Sequence, residues 1–439
     1  MKKVIRHVRY LDPETGVPGS GNLVLRGQQI RGFTSEEITD ADETMEGKGM
    51  WVMPGFIDLH VHFREPGGEV KETLETGSRS ALAGGFTTVV CMPNTQPVLD
   101  SRSKLEPLLE KAGKLPCQLL FMGAVTKELQ GKERVNLDEY RRSEIVGITD
   151  DGMPVANARI MKEAMVEAAE RGMLLANHCE EPALMYDRSI NQGVVSRQMG
   201  LQGVPPLAEE LMVQRDLYLA WVTGAPVHIQ HVSTKGSVAL IRQAKKRGVR
   251  VTAEVTPHHL ALTQDAVFQK GSLAVMSPPL REEADLSALR AALADGTIDC
   301  IATDHAPHEP ASKTEDLVKS AKGVIGLETA FCVAYTSLVQ SGVMDLGRLI
   351  HCMSTQPARM LHLKHKGSLV SGNHADLVLV DPAEKWTVKA DAVASRSQNT
   401  PFDGMQWQGR VKATLKDGVV RYTSGEFEME PANGQVPHI

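Results

Sequence analysis

The six cysteines of this 439-residue chain, Cys91, Cys117, Cys179, Cys300, Cys332 and Cys352, lie far apart and form no CxxC pair. That spacing argues against a disulfide framework and against a thiolate zinc site, and it fits reduced thiols in a cytoplasmic protein. A net positive charge is also lacking. The formal net charge is −6 and the pI is near 6.2, and the one dense basic cluster, Lys245-Lys246-Arg247, stands where a helix C-terminus is expected. Without a broad basic surface, nucleic acid is not an expected partner. The opening MKKVIRHVRYLDPETG carries charges throughout and no apolar core of a signal peptide, and no stretch reaches the length of a membrane span. Neither targeting nor membrane anchoring is expected. What the chain does have is 42% hydrophobic residues, enough for one large domain and a smaller one.

Residues 1 to about 52 read as short strands and turns (VIRHVRYLD, then NLVLRGQQIRGF, then Trp51-Val52). From Met53 short apolar runs alternate with helical stretches, and eight strands are predicted, near 55–60, 86–91, 118–123, 144–149, 173–178, 226–231, 249–255 and 298–303. Between them, Ala158–Arg171 places Ile160, Met161, Ala164, Met165 and Ala168 on one helical face, and Gly172 follows as a stop. Eight strand-helix units in roughly 300 residues match a (β/α)8 barrel, the TIM barrel, whose chemistry sits at the C-terminal strand ends. An open doubly wound sheet stays open on pattern alone, since no Gly-rich dinucleotide fingerprint decides the matter. After His365 the chain returns to strands (HKGSLVSGNHADLVLVDP, KWTV, VKATLKDGVVRYTSG) and ends in EPANGQVPHI, read as a loose tail. The expected architecture is a barrel over 53–365 and a discontinuous β-sandwich domain formed by 1–52 with 366–439.

The organising stretch is GFIDLHVHFREPG, residues 55–67. On a strand, His60 and His62 share a face, and two imidazoles on one rigid strand hold a divalent ion at little entropic cost. His178 closes MLLANH, His231 closes VHIQH, and Asp304 follows IDCIAT. Each has a plainer reading by itself, as a hydrogen-bonded histidine or a helix-capping aspartate. Five in phase with strand ends supply nitrogen and oxygen ligands for one or two divalent ions, zinc first. Arg64, leaving the first strand beside them, suits a carboxylate clamp because its guanidinium binds bidentately.

With CMPNT (91–95), NHCE (177–180), HVS (231–233), TPHH (256–259), PPLR (278–281), TDHAPH (303–308) and GLET (326–329), the whole chain resembles the bacterial class I dihydroorotases of the amidohydrolase superfamily. The resemblance implies that His60, His62, His178, His231 and Asp304 are metal ligands. The fourth strand, EIVGITDDG, has no lysine to be carbamylated, so an aspartate takes its place: Asp151 by motif alignment, with Asp150 the neighbouring choice. By the same resemblance Asn94 and His308 are expected to join Arg64 in holding the substrate carboxylate, although Asn94 also reads as a turn residue after Pro93 and His308 as a loop histidine. Ser277 stands where the family commonly has asparagine at the ring-binding wall, and Ala321-Lys322-Gly323 replaces a common Pro-Phe-Gly.

The implied reaction is interconversion of N-carbamoyl-L-aspartate and L-dihydroorotate in pyrimidine biosynthesis, by metal-activated hydroxide with Asp304 as general acid and base. One or two zinc ions per subunit are expected, two being the first choice, with a small-molecule substrate. Homodimerisation and association with aspartate transcarbamoylase stay open. The rival readings are a hydantoinase-like or allantoinase-like hydrolase and a non-catalytic scaffold homologue. The loop from His308 to Gly323, lacking apolar periodicity, is expected to be mobile.

Overall fold

The computed structural model describes residues 1–11, 15–141, 143–424 and the backbone of 430–431. Of the expected loose tail, all but Glu430-Pro431 lies outside the described residues. Eight parallel strands follow one another in chain order: β6 (Phe56–Val61), β7 (Phe86–Cys91), β8 (Gln118–Gly123), β9 (Gly147–Ile148), β10 (Leu174–Asn177), β11 (Val227–Ile229), β12 (Val251–Val255) and β13 (Cys300–Ile301). Every predicted barrel strand overlaps one of them.

Sequential order alone fits a barrel better than a doubly wound sheet, and the closure settles it. His62 N–H donates to His305 O at 2.9 Å, and Val61 bridges His305 in parallel, which joins the eighth strand to the first. Both β6 and β7 are buried at every position, as strands covered on both faces should be. The helix Ala158–Glu170 buries Ile160, Met161, Ala164, Met165 and Ala168, the face its spacing predicts. Asn157 caps its start, and Gly172 leaves it in the left-handed region at φ 64°.

The chain ends build a mixed sheet from β1 (Lys2–Leu11), β2 (Pro18–Arg26), β3 (Gln29–Thr34), β4 (Glu43–Glu46), β5 (Trp51–Pro54), β14 (Leu377–Thr387), β15 (Gln406–Lys416), β16 (Val419–Thr423) and β17 (Glu430–Pro431). The sheet divides at β1. Residues 3–6 pair with β4, whereas Arg9 pairs with Trp51 of β5. Strands of both branches enclose one core that includes Ile5, Leu23, Met45, Val52, Leu377 and Leu415. Two details depart from the sequence reading. The runs LVLVDP and KWTV form one strand with a register shift between Asp381 and Lys385, and HKGSLVSGN is mostly turn, with Gly367 and Gly372 at positive φ.

Strand alternation fixes the sheet to the barrel. In β5, Trp51 and Met53 face the barrel core while Val52 faces the sheet core; in β14, Val378 and Val380 face the barrel while Leu377 and Leu379 face the sheet. Since β5 runs straight into β6, the start of the first barrel strand is held between two cores.

Candidate metal centre

Asp58, His60 and His62 occupy alternate positions at the end of β6. The Asp58 carboxylate accepts from Thr303 N–H at 3.1 Å, Thr303 Oγ1–H at 2.6 Å and His60 N–H at 3.0 Å. These bonds tie the first strand to the segment carrying Asp304, so the two ends of the barrel present their side chains in fixed register.

Four imidazoles and two carboxylates converge. Asp151 Oδ2 lies 3.2 Å from both His60 Nε2 and His62 Nε2, and Asp151 Oδ1 lies 3.5 Å from His231 Nε2 and 3.7 Å from His178 Nδ1. Asp304 Oδ1 stands 2.9 Å from His62 Nε2 and 3.5 Å from His60 Nε2. All six residues are buried. Within this cluster two triads can each hold an ion, His60-His62-Asp151 and Asp151-His178-His231, and they share Asp151.

The adjacent Asp150 turns the other way. Its carboxylate accepts from Val125 N–H at 2.7 Å, Thr126 N–H at 3.0 Å and the Thr126 hydroxyl. That spends its oxygens on a loop, and burial raises its pKa to about 6 against those bonds.

The donor set fits a divalent cation. Among the described residues His60 Nε2 and Asp151 Oδ1 are buried without a hydrogen-bond partner, close to each other's groups but not aligned with them. Orphaned buried polar atoms are costly unless something else satisfies them. Four buried carboxylates, Asp151, Asp304, Glu180 and Glu254, also crowd one region, which demands positive charge. Burial opposes a charge on His60, yet Asp151, Glu254 and Asp304 outweigh it and raise its pKa well above the ordinary histidine value. Against the same burial, the surrounding imidazoles hold Asp151 well below the carboxylate range. Protons or a bound cation meet the same electrostatic need, and only a cation leaves the imidazole nitrogens free to ligate.

Behind the histidines stands a layer that motif reading missed. Glu254 accepts from His60 Nδ1–H at 2.7 Å and from His228 Nε2–H at 3.0 Å. With Nδ1 so engaged, the Nε2 of His60 is the nitrogen turned to the centre, and Asn94 Oδ1 does the same for His62 at 2.9 Å. Glu180 pairs with His178 Nε2 at 2.8 Å, leaving His178 Nδ1 for the centre. The signal for Glu254 was present in VRVTAEV: a carboxylate at an inward position of a strand otherwise buried on both faces needs a partner. His228 spends both ring nitrogens, on Thr252 and Glu254, so its cluster with Cys300 is not a second metal site.

At the mouth, Arg64 Nε–H donates to Pro307 O at 3.2 Å, and burial lowers its pKa to about 10 against the pull of Asp304, Asp151 and Glu72. Among the described residues Asn94 makes no hydrogen bond through Nδ2, which is left as a donor. His308 Nε2–H donates to Lys322 O at 2.7 Å. In that state His308 offers only a lone pair at Nδ1, an atom buried without a hydrogen-bond partner among the described residues. Ser277 does not present a free hydroxyl to a ring wall; it donates to Glu180 behind His178.

The loop His308–Gly323 is more firmly anchored than its lack of periodicity suggested, because its ties are to backbone carbonyls. Lys313 Nζ donates to Ser272 O and Val275 O, Gly323 N–H donates to Val275 O, and Leu317 is buried. Arg64, His231 and Asp304 all have positive φ, of 61°, 31° and 47°. Non-glycine residues held there carry backbone strain of a kind that clusters at functional sites.

Comparison with known proteins agrees with this geometry. Residues 51–421 match the model of the Amidohydrolase family. A dihydroorotase of Trichlorobacter lovleyi is 41% identical over 425 residues, 96% of this chain and 100% of the relative. A dihydroorotase of Caldanaerobacter subterraneus subsp. tengcongensis is 43% identical, over 96% of this chain and 97% of its own length. Among solved structures, the L-hydantoinase (dihydropyrimidinase) of Arthrobacter aurescens superposes with a TM-score of 0.85 at 26% identity, covering 99% of this chain and 98% of that one. The dihydropyrimidinase of Brevibacillus agri NCHU1002, at 24% identity and TM-score 0.85 over 98% and 97%, shows the same fold. The chain belongs to the amidohydrolase family, which is metal-dependent, and within it to the dihydroorotases.

Proposed function

We propose that the chain catalyses the reversible ring closure of N-carbamoyl-L-aspartate to L-dihydroorotate with release of water. The observation that carries the reading is the Asp151 carboxylate ringed by four imidazoles, with Asp304, Arg64 and the free Asn94 amide at the same mouth. His60, His62, His178, His231, Asp151 and Asp304 would hold the metal. Zinc suits their nitrogen and oxygen donors, and the two triads sharing Asp151 support two ions. When bound, such ions polarise the carbonyl oxygen and bring the pKa of water toward neutrality.

The chain's own groups supply the rest. Arg64 and Asn94 Nδ2–H hold the substrate carboxylate, and His308 is set against Arg64, its Nε2 3.4 Å from Arg64 Nη2. Asp304 keeps Oδ1 toward the histidines, while Oδ2 makes no hydrogen bond among the described residues. We assign to Oδ2 the proton taken from the attacking water and delivered to the departing amide nitrogen. In ring closure the same atom accepts from the ureido nitrogen and returns the proton to the oxygen that leaves.

The two chain ends, 1–52 with 366–439, would form the supporting domain and 53–365 the catalytic barrel. In favour of this division are the β5 and β14 strands, which pair with each other next to the barrel. Six free, buried cysteines favour a reducing compartment such as the cytoplasm.

A hydantoinase-like activity is the alternative, because the superposed structures are hydantoinases. The carboxylate clamp separates the two, since only one of the substrate classes needs it. Arg64→Lys keeps the charge and loses the fork, and kcat/KM for dihydroorotate is expected to fall about 30-fold, ~2 kcal/mol of transition-state binding. An unchanged kcat/KM would place the carboxylate elsewhere.

A further inference from the structure

Both basic groups of the carboxylate mouth depend on one short stretch, Ala306-Pro307-His308. His308 belongs to it, and Arg64 leans on it through the Nε–H bond to Pro307 O at 3.2 Å. Proline has no N–H with which to anchor itself, so the place of that carbonyl is set by the residues on either side.

Those two residues are held by one side chain from far along the sequence. Asn399 Oδ1 accepts from His308 N–H at 2.9 Å, and Asn399 Nδ2–H donates to Ala306 O at 3.0 Å and to Gly323 O at 3.1 Å. Among the described residues these are the only hydrogen bonds of His308 N–H and Ala306 O. The Asn399 side chain is 4% exposed, and its oxygen and both N–H donors are spent on backbone groups. Its own carbonyl accepts from Ile325 N–H at 3.0 Å.

Asn399 comes from the sheet-forming end of the chain, yet residues 394–399, between β14 and β15, form no strand and run to the barrel mouth. Glu328 of the GLET motif accepts from Ala394 N–H at 2.9 Å and from Ser395 N–H at 3.1 Å, and Ser397 Oγ–H donates to Lys71 O at 2.7 Å. Glu72 accepts from the Ser395 hydroxyl, from Arg396 N–H at 3.1 Å and from His305 Nε2–H at 3.3 Å. His305 donates through Nε2 because its Nδ1 accepts from Gly326 N–H. The stretch therefore grips the 304–308 segment twice, at His305 next to Asp304 and at Ala306 and His308 around Pro307.

We propose that Asn399 is a positioning residue for the substrate carboxylate: it fixes His308, and through Pro307 O it fixes Arg64, relative to Asp304. This assignment rests on the carboxylate reading of Arg64 and His308. It differs from a general role in stability by the quantity it changes. A misplaced clamp loses binding that bound substrate and transition state share, which raises KM and leaves kcat. A smaller folded fraction lowers the apparent kcat and leaves KM.

Initial rates of Asn399→Ala on dihydroorotate, with metal content measured on the same preparation, test the proposal. KM is expected to rise about 10-fold, with kcat within about threefold of the wild type and metal unchanged. In an Arg64→Lys background the same substitution is expected to cost about threefold or less in kcat/KM, because residues that act through one another are not additive. An unchanged KM, a loss of metal or kcat at constant KM, or a full cost of about 10-fold in the Arg64→Lys background would each overturn the proposal. Should Asn399→Ala fail to fold, Asn399→Ser, which keeps one hydroxyl for the same backbone groups, takes its place in both arms. Failure of the underlying reading shows elsewhere: a wild type that does not turn over dihydroorotate, or an Arg64→Lys variant with unchanged kcat/KM, removes the clamp and the proposal with it.

Discussion

His60→Ala and His178→Ala are each expected to lose bound metal and turnover together. Each imidazole presents one nitrogen to Asp151 and has its other nitrogen fixed by a carboxylate, His60 by Glu254 and His178 by Glu180. An alanine leaves a gap that no neighbouring donor reaches, and the buried carboxylates around it lose part of their compensation. Loss of an outer hydrogen-bond partner alone costs metal sites about 10–100-fold in affinity; removal of the ligand itself should exceed that. Metal content by plasma mass spectrometry and dihydroorotate turnover, on the same preparation, check the expectation. Full metal with full activity in either variant would mean that the centre lies elsewhere.

The second large effect separates two adjacent aspartates. Asp151→Ala is expected to weaken or abolish one metal position while the other stays partly filled. A shared carboxylate offsets the repulsion between two cations, which two-metal sites hold about 3.5–4 Å apart. Asp150→Ala should leave the metal in place and act on stability instead. Its carboxylate accepts from Val125 N–H, Thr126 N–H and the Thr126 hydroxyl. Leaving buried backbone donors unsatisfied costs about 1–3 kcal/mol each at most, read as a lower Tm. Metal stoichiometry that responds to Asp150 and not to Asp151 would shift the register by one. No response to either would make the fourth-strand carboxylate structural.

The register of this pair was readable only through motif alignment, since DDG by itself also describes a turn. The barrel was far more legible. Its strands are short apolar runs, and runs such as FTTVVC and QLLFMG coincide with β7 and β8 end to end. Their signal is local. The strand β4, ETME, escaped notice because it is short and polar and is specified by its pairing with β1, some forty residues away. Glu254 and Glu180 were missed for the related reason that their roles depend on partners from other strands. The expectation for His308–Gly323 rested on missing apolar periodicity, and the contacts of Lys313 with the carbonyls of Ser272 and Val275 leave no such pattern to read. Ser277 was read against a family position, and its bond to Glu180 is visible only in three dimensions.

Ring opening of L-dihydroorotate and of hydantoin, followed as initial rates on one metal-loaded preparation, tests the central claim most directly. If Arg64 and Asn94 hold a substrate carboxylate beside the Asp151 centre, kcat/KM for dihydroorotate should exceed that for hydantoin by about 100-fold or more, the discrimination expected when a buried charged donor is left unpaired by the wrong substrate. Equal rates on the two, or full metal with no turnover of dihydroorotate, would contradict it.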